Sequence, residues 1–139
     1  MATLVYNTGK EGILNGTIDL DTNTIKALLI DTDYTENPDH DFVADLVADE
    51  CAGTGYVRKT LAITITKDDA NDRVLVDATD VTWTALGSDV GSVYGVVVFK
   101  DTGNDATSPL IYFGKFSTAY VSNGADLTLV WAALGLFYI

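Results

Sequence analysis

Apolar and polar residues alternate through much of the chain, which is the pattern of strands that bury one face. From residue 59 to residue 66, Leu61, Ile63 and Ile65 share one face, while polar or small residues share the other. The same alternation recurs at Val74, Val76 and Ala78, at Val81, Trp83 and Ala85, and at Leu127, Leu129 and Trp131. These segments are predicted to be half-buried strands, with Trp83 as the anchor of the core.

Three other runs are apolar on both faces, at residues 24–31, 93–99 and 110–116. Such runs are typical of central strands that are covered on both sides. Strands spaced by roughly ten residues predict an all-β fold, an antiparallel β-sandwich of about seven or eight strands with one or two short helices. Strand spacing does not specify strand order, so an immunoglobulin-like sandwich and a jelly roll both remain open.

Helical patterns occur at two places. Asn7 or Thr8 can cap a short helix that ends at Gly16. A second short helix is predicted over residues 38–47, because Asn37 can cap it, Pro38 suits its first position and an apolar stripe follows.

Residues 132–139 contain no charged side chain and are rich in large apolar ones. Such a segment, left in water, would form an apolar patch that monomers rarely expose. It is therefore either a buried strand or a contact with another subunit, and we favour the strand because terminal strands are commonly tied into sheets.

No change of composition, linker or internal repeat divides the chain, so residues 1–139 are predicted to form a single β-sandwich domain. A chain of this length can bury a substantial core without a disulfide or a metal. Residues 1–15 are a possible N-terminal arm, which either packs on its own domain or reaches a neighbour.

The charge balance excludes one class of partner. The chain has 8 lysine and arginine residues against 20 aspartate and glutamate residues, a formal net charge of −12. DNA and RNA would be repelled by most of such a surface, so no nucleic-acid partner is expected. No segment has the length and apolarity of a membrane span, and no basic region followed by a long apolar run opens the chain; we expect no membrane partner and assembly in a cytoplasm.

Candidate chemistry is sparse. Catalysis of the Ser-His-acid kind would have to use His40, the only histidine, which lies in a polar turn and is better read as solvated or capping. Phosphate-binding and nucleophile-elbow glycine motifs are both missing. The single cysteine, Cys51, has acidic neighbours that raise a thiol pKa, and it is predicted to be a small buried hydrophobe. We therefore expect no enzyme activity, no catalytic residues and no cofactor.

A metal site is also not expected. Asp19, Asp21 and Asn23 have the opening spacing of a calcium loop, but the glycine and the distal glutamate of such a loop do not follow. The other acidic clusters are typical of solvated turns. Glycoside hydrolysis needs two carboxylates at a separation that only the fold sets, so the sequence does not decide it. The aromatic residues that would bind a sugar lie within strands rather than among the acidic residues, which does not favour this chemistry.

The order of several blocks resembles a known family. DTNTIKALLIDTDYT is followed by PDHDF, GTGYVRKTLAITI, DDANDRVLVDATDVTWTAL and GVVVFKDTGNDATSPLIYFGKF. This succession, within residues 5–131, is similar to small structural proteins of tailed-bacteriophage virions, most of all to capsid decoration or cement proteins. The resemblance implies a virion protein on the outer surface of the head, at threefold or quasi-threefold junctions, which braces the shell against the pressure of the packaged DNA. It implies the major capsid protein as the partner and the host cytoplasm as the place of assembly.

Such a protein would hold the shell through several weak contacts at once, and a homo-oligomer, with a trimer favoured, would supply them. The two apolar ends of the chain are the candidate contact regions. The candidate partner contacts are Tyr6, Ile13, Leu14, Trp131, Phe137 and Tyr138. The alternative is a tail- or fibre-associated virion protein that contacts the host surface through the loop at residues 100–108.

Overall fold

The computed structural model describes residues 2–139, and it is an all-β protein with antiparallel sheets and one α-helix. The helix, α1, spans Asn7–Asn15. Ten strands make up the rest of the regular structure apart from short 3-10 turns: β1 Ala2–Val5, β2 Ile25–Asp31, β3 Lys59–Leu61, β4 Ile63–Asp68, β5 Arg73–Ala78, β6 Val81–Trp83, β7 Ser92–Lys100, β8 Leu110–Val121, β9 Leu127–Leu129 and β10 Phe137–Tyr138. The predicted all-β class is confirmed.

A five-stranded antiparallel sheet forms the centre, with the strand order β1-β8-β7-β2-β3. Its register aligns Leu4, Phe113, Val97 and Leu28 in one row across four strands. Successive residues of a strand point to opposite faces, so the next row belongs to the other side of the sheet. The central strands are apolar on both faces because both faces are covered.

Two smaller sheets cover one face of the central sheet. They have the strand orders β10-β5-β4 and β6-β9, and they place Val76, Trp83 and Leu129 in the same core cluster as Val98 of β7. Trp83 is fully buried, as predicted, and its indole Nε1 donates a hydrogen bond of 2.7 Å to the Val57 carbonyl. The result is a sandwich-like arrangement.

The opposite face is covered by irregular chain. Tyr34, Val43 and Leu46 are buried there against Val97 and Phe113 of the sheet. The helix predicted over residues 38–47 is wrong: this segment contains 3-10 turns, at Val43–Asp45 and Val47–Asp49.

The backbone of that segment bonds to the chain that enters β8, and this explains why no helix forms. Val43 N–H donates to the Ser108 carbonyl, and Leu110 N–H donates to the Asp41 carbonyl. Phe42 is extended and forms an isolated bridge with Pro109. Backbone groups used in these bonds cannot also form helical ones.

The strand predicted over residues 59–66 is divided at Ala62, because β3 belongs to the central sheet and β4 to the three-stranded sheet. Leu61 is buried, as expected, whereas Ile65 is 49% exposed. Ile65 lies opposite the buried Val76 in the β4–β5 register, so it is on the predicted core-facing side but is only partly covered. The chain changes sheets at Ala62, and β4 is an edge strand, so its side chains have a neighbouring strand on one side only. This division, together with β1, brings the count above the seven or eight strands expected.

The N-terminal segment packs on its own chain. β1 pairs with β8, and α1 lies against β8 so closely that a Cβ atom on Gly9 would be 2.8 Å from Ile111 Cα. The helix ends at Gly16, which has the left-handed conformation with a φ of 80°. Residues 2–15 therefore have packing partners within their own domain; Met1 lies outside the described residues.

Candidate functional site

Two of the six predicted partner contacts lie in the interior. Tyr6 is fully buried, and its hydroxyl is 2.7 Å from the hydroxyl of Tyr34. Trp131 is 7% exposed, and its Nε1 donates a hydrogen bond of 3.0 Å to the Thr79 carbonyl. Each aromatic ring is part of the core, and its polar atom forms a hydrogen bond within the protein. Tyr6 and Trp131 are therefore not surface contacts.

The other four predicted contacts meet in one place, which we call the α1/β10 groove. It has a volume of about 250 Å³ and lies between the helix and the C-terminal segment. Its lining consists of Val5, Lys10, Ile13, Leu14, Phe137, Tyr138 and Ile139. Residues from opposite ends of the chain therefore form one surface.

Helical spacing explains one wall of the groove. Lys10, Ile13 and Leu14 are at positions i, i+3 and i+4 of α1, so they share one face of the helix. Leu14 is 83% exposed, the most exposed large apolar side chain among the described residues. The groove thus has an apolar rim that the chain itself leaves uncovered.

The C-terminal segment forms the other wall. Phe137 and Tyr138 pair with Val76 and Leu75 of β5, which confirms the predicted intrachain strand. Tyr138 is 54% exposed and Ile139 is 69% exposed. The segment is therefore attached to the sandwich on one side and apolar towards solvent on the other.

Lys10 is the only charged side chain among the described residues that line the groove. Its Nζ donates to the amide oxygen of Asn7 at 3.3 Å, and no carboxylate within the described part of the chain forms an ion pair with it. Arg73 lies behind the other wall, 5.3 Å from the centre of the Tyr138 ring, and is paired with Asp68. On a protein of net charge −12, the groove is apolar with a cationic edge.

Sequence reasoning missed Lys10, Val5 and Ile139 as groove residues. The helical period could have identified Lys10, since it precedes Ile13 by three residues. Nothing in the local sequence around Val5 indicates that it faces the C-terminus, because that proximity is created by the pairing of β1 with β8 and of β10 with β5.

The aspartates that resemble a calcium loop stabilise a turn instead. Asp19 accepts hydrogen bonds from the backbone N–H groups of Asp21 and Thr22. The pKa of Asp19 is lowered by a hydrogen bond with the Thr22 side chain and by these backbone bonds. Across residues 2–139 no three His, Cys, Asp or Glu side chains are grouped so that they could hold a metal ion.

The loop at residues 100–108, predicted as the binding tip of the alternative function, is held by internal bonds. Thr102 and Ser108 bond to each other and to the Asn104 carbonyl, and Asp105 pairs with Arg58. Many of its polar groups are therefore used within the protein.

Two other predicted residues are located. Cys51 is 3% exposed, as predicted. Its burial, and to a smaller extent the nearby charges of Asp31 and Glu50, raise the pKa of its thiol to about 12. His40 is half-buried beside Tyr34, with ring centres 6.0 Å apart, and its buried Nδ1 has no hydrogen-bond partner in the described structure. The solvated or capping role expected for His40 does not describe this position.

The described residues include no helix long and apolar enough to cross a membrane. Comparison with known proteins gave no family, no curated protein and no solved structure that matches this chain.

Proposed function

We propose that this protein is a structural component of a tailed-phage particle, a decoration protein that binds the outer surface of the head shell and stabilises it. The observation that carries the proposal is the α1/β10 groove, which leaves Leu14, Tyr138 and Ile139 exposed beside one another. A contiguous apolar surface of this kind is typical of a contact with another protein. The resemblance of the sequence blocks to virion proteins supplies the kind of partner, the major capsid protein.

The charge of the molecule supports the outer surface as its location. With a net charge of −12, the protein would be repelled by the packaged DNA on the inside of a shell. The rest of the architecture suits a brace, because the central sheet is covered on both faces by packed residues. We propose a homo-oligomer, with a trimer favoured, so that several weak contacts act together.

The copy number of the chain in purified particles tests the proposed function. Quantitative mass spectrometry would measure this chain relative to the major capsid protein, and we expect a ratio comparable to that of a shell subunit. A few copies per particle would instead assign the protein to the tail or a fibre, and absence from the particle would refute a virion role.

A binding measurement with shells that lack this protein tests the groove itself. Leu14→Asp places a charge on the exposed rim, and we expect it to weaken shell binding by about tenfold or more. Val121→Asp is the matched control, because Val121 is an apolar residue that is 65% exposed at the end of β8, outside the groove lining. Equal binding by both variants would exclude the groove as the contact surface.

A further inference from the structure

The outer edge of β1 carries unpaired backbone groups. Tyr6 N–H donates to the Ile111 carbonyl, which fixes the hydrogen-bonded positions of the β1–β8 ladder. In an antiparallel ladder these positions alternate, so Leu4 bonds to β8 while the N–H and C=O groups of Thr3 and Val5 point away from it. Within the described residues, β1 pairs only with β8.

This edge lacks the features that usually prevent pairing. Natural sheets protect their edges with charged residues, prolines or bulges. The opposite edges of the same two sheets follow that rule, since β3 begins at Lys59 and β4 contains Lys67 and Asp68. β1 and β10 have none of these residues. In these two sheets, the edges formed by β1 and β10 are therefore the unprotected ones, and we call them the unprotected side.

The unprotected side is also the side of the groove. Val5 lines the α1/β10 groove together with Tyr138, and Thr3 lines an adjoining depression that also contains Tyr138. A strand placed beside β1 would therefore lay its alternate side chains along apolar walls. Backbone hydrogen bonds and side-chain burial would act on the same segment.

Charge indicates what kind of segment fits. Lys10, at the groove, has no carboxylate partner among residues 2–139, so an occupant with a carboxylate at that end would complement it. The β1 edge of a second copy fits less well, because its sequence, ATLV, has no carboxylate to place against Lys10.

We infer that the α1/β10 groove binds an extended segment of the shell protein, apolar at alternate positions and with a carboxylate facing Lys10, as an additional strand hydrogen-bonded to the edge of β1. This inference rests on the proposed function and specifies how the contact is made. The chemistry is strand addition to an open sheet edge.

Backbone hydrogen exchange, read by mass spectrometry in the free and the shell-bound protein, tests it. We expect the amides of Thr3 and Val5 to become protected on binding, because they would gain acceptors on the added strand. The amide of Ile65 serves as the internal control. Thr79 N–H bonds to the Ala62 carbonyl, so by alternation the backbone N–H of Ile65 faces the open edge of β4, and Ile65 is not part of the groove lining.

Each outcome has a distinct meaning. Binding without protection at Thr3 and Val5 would overturn the strand-addition inference and leave the proposed function standing. Absence of binding to shells would refute both. Protection that appears in the free protein as its concentration rises, together with sedimentation as a dimer or larger species, would assign the groove to a second copy and overturn the stated occupant.

A proline variant provides a second test. Thr3→Pro removes an N–H group that bonds to nothing within the described fold, and proline is tolerated at such an edge position. We expect shell binding to fall by about tenfold or more, since one hydrogen bond is lost and the ring obstructs the incoming strand. Ile65→Pro, at the open edge of β4, is the matched control and should bind normally. Unchanged binding by Thr3→Pro would contradict the inference.

A charge reversal tests the complementarity without altering the backbone. Lys10→Glu should weaken binding by about fivefold or more and should do so less at high salt. Lys67→Glu reverses an exposed lysine in the β4–β5 hairpin and controls for the change in net charge. Equal effects of the two reversals would remove Lys10 from the contact and overturn the carboxylate assignment.

Discussion

Arg58 connects parts of the chain that are distant in sequence. Its guanidinium donates to both carboxylate oxygens of Glu50, at 2.8 and 2.6 Å, and to both of Asp105, at 2.6 and 3.0 Å. It also lies 5.4 Å from the centre of the Phe99 ring. The planar fork of arginine suits two bidentate partners, which lysine cannot reproduce. Arg58 lowers the pKa of Asp105 by hydrogen bonding and charge.

At this residue, Arg58→Ala should lower the free energy of unfolding by about 2 kcal/mol. This value lies between the large cost of breaking a buried ion pair and the small contribution of an exposed ion pair to stability. The loss is expected because the carboxyl group of Glu50, whose side chain is 11% exposed, would lose its bidentate partner. Urea denaturation at neutral pH would measure it. Lys67→Ala, which breaks the exposed pair with Asp69, should cost less than about 0.5 kcal/mol and serves as the control. Equal losses would mean that the Arg58 network does not stabilise the fold.

At the scale of elements, α1 depends on close contact between backbones. A Cβ atom on Gly9 would lie 2.8 Å from both Ile111 Cα and the Leu110 carbonyl oxygen. Both atoms belong to the backbone of β8, so they cannot move aside as the end of a flexible side chain can. Glycine is needed here for the approach of the helix to the sheet.

Gly9→Ala separates two opposing effects. Alanine favours helix formation by about 1 kcal/mol over glycine, whereas overpacking costs about 1–3 kcal/mol. We expect the steric effect to prevail, with a net destabilisation of about 1–2 kcal/mol in urea denaturation. Glu11→Ala, at an exposed position of the same helix, should change stability by less than about 0.5 kcal/mol. Stabilisation by Gly9→Ala would show that α1 is not held tightly on β8.

The 3-10 turn that replaces the predicted second helix is held by Asp45. Its Oδ2 accepts hydrogen bonds from Phe42 N–H at 2.9 Å and from Asp41 N–H at 2.8 Å, and these lower the pKa of Asp45 from its ordinary value of 3.8. A carboxyl group whose pKa is lowered by folding makes its full contribution to stability when the pH is above its pKa in the unfolded state. That contribution is lost as the pH falls below 3.8 and then through the lower pKa of Asp45 in the folded protein.

Asp45→Asn should therefore lower the free energy of unfolding by about 1 kcal/mol at pH 7, since a charged acceptor is replaced by a neutral one. The difference from the parent protein should shrink as the pH falls below 3.8. Urea denaturation at neutral pH and near pH 3 would measure both values. Asp33→Asn, at an exposed position, is the control. A difference that stays constant with pH would exclude the charge of Asp45 as the cause.

The fold and the groove were predictable from the sequence to different degrees. The two-faced central strands, α1 with its end at Gly16, and β10 follow from periodicity and local chemistry, which act over a few residues. The division at Ala62 and the loss of the second helix depend on pairing with chain far away in sequence. Four of the six predicted contacts share the groove, while Tyr6 and Trp131 show that a large aromatic residue near a chain end is no evidence of exposure.

For the molecule as a whole, the excess of acidic residues should make stability depend on salt. The net charge of −12 favours repulsion in the compact state, and screening reduces that repulsion. Raising the NaCl concentration from ~20 mM to ~0.5 M should increase the free energy of unfolding by about 1 kcal/mol, in spite of weakened ion pairs.

Thermal or urea unfolding at a series of NaCl concentrations would check this, and KCl at the same concentrations should have the same effect. A decrease with salt would mean that ion pairs such as that of Arg58 outweigh the general repulsion. A larger effect of one cation would indicate specific cation binding rather than screening.

The sequence by itself determined the all-β class, the strands that are covered on both faces, the short helix and the acidic surface. These properties are carried by side-chain periodicity, helix-end residues and charge, each of which is local or additive. Only the tertiary structure decided which elements cover those faces, that Tyr6 and Trp131 are core residues, and that α1, β1 and β10 meet around a groove. Periodicity indicates that a face is apolar. It does not indicate which distant segment packs on that face, because the packing depends on how strands pair across the whole chain.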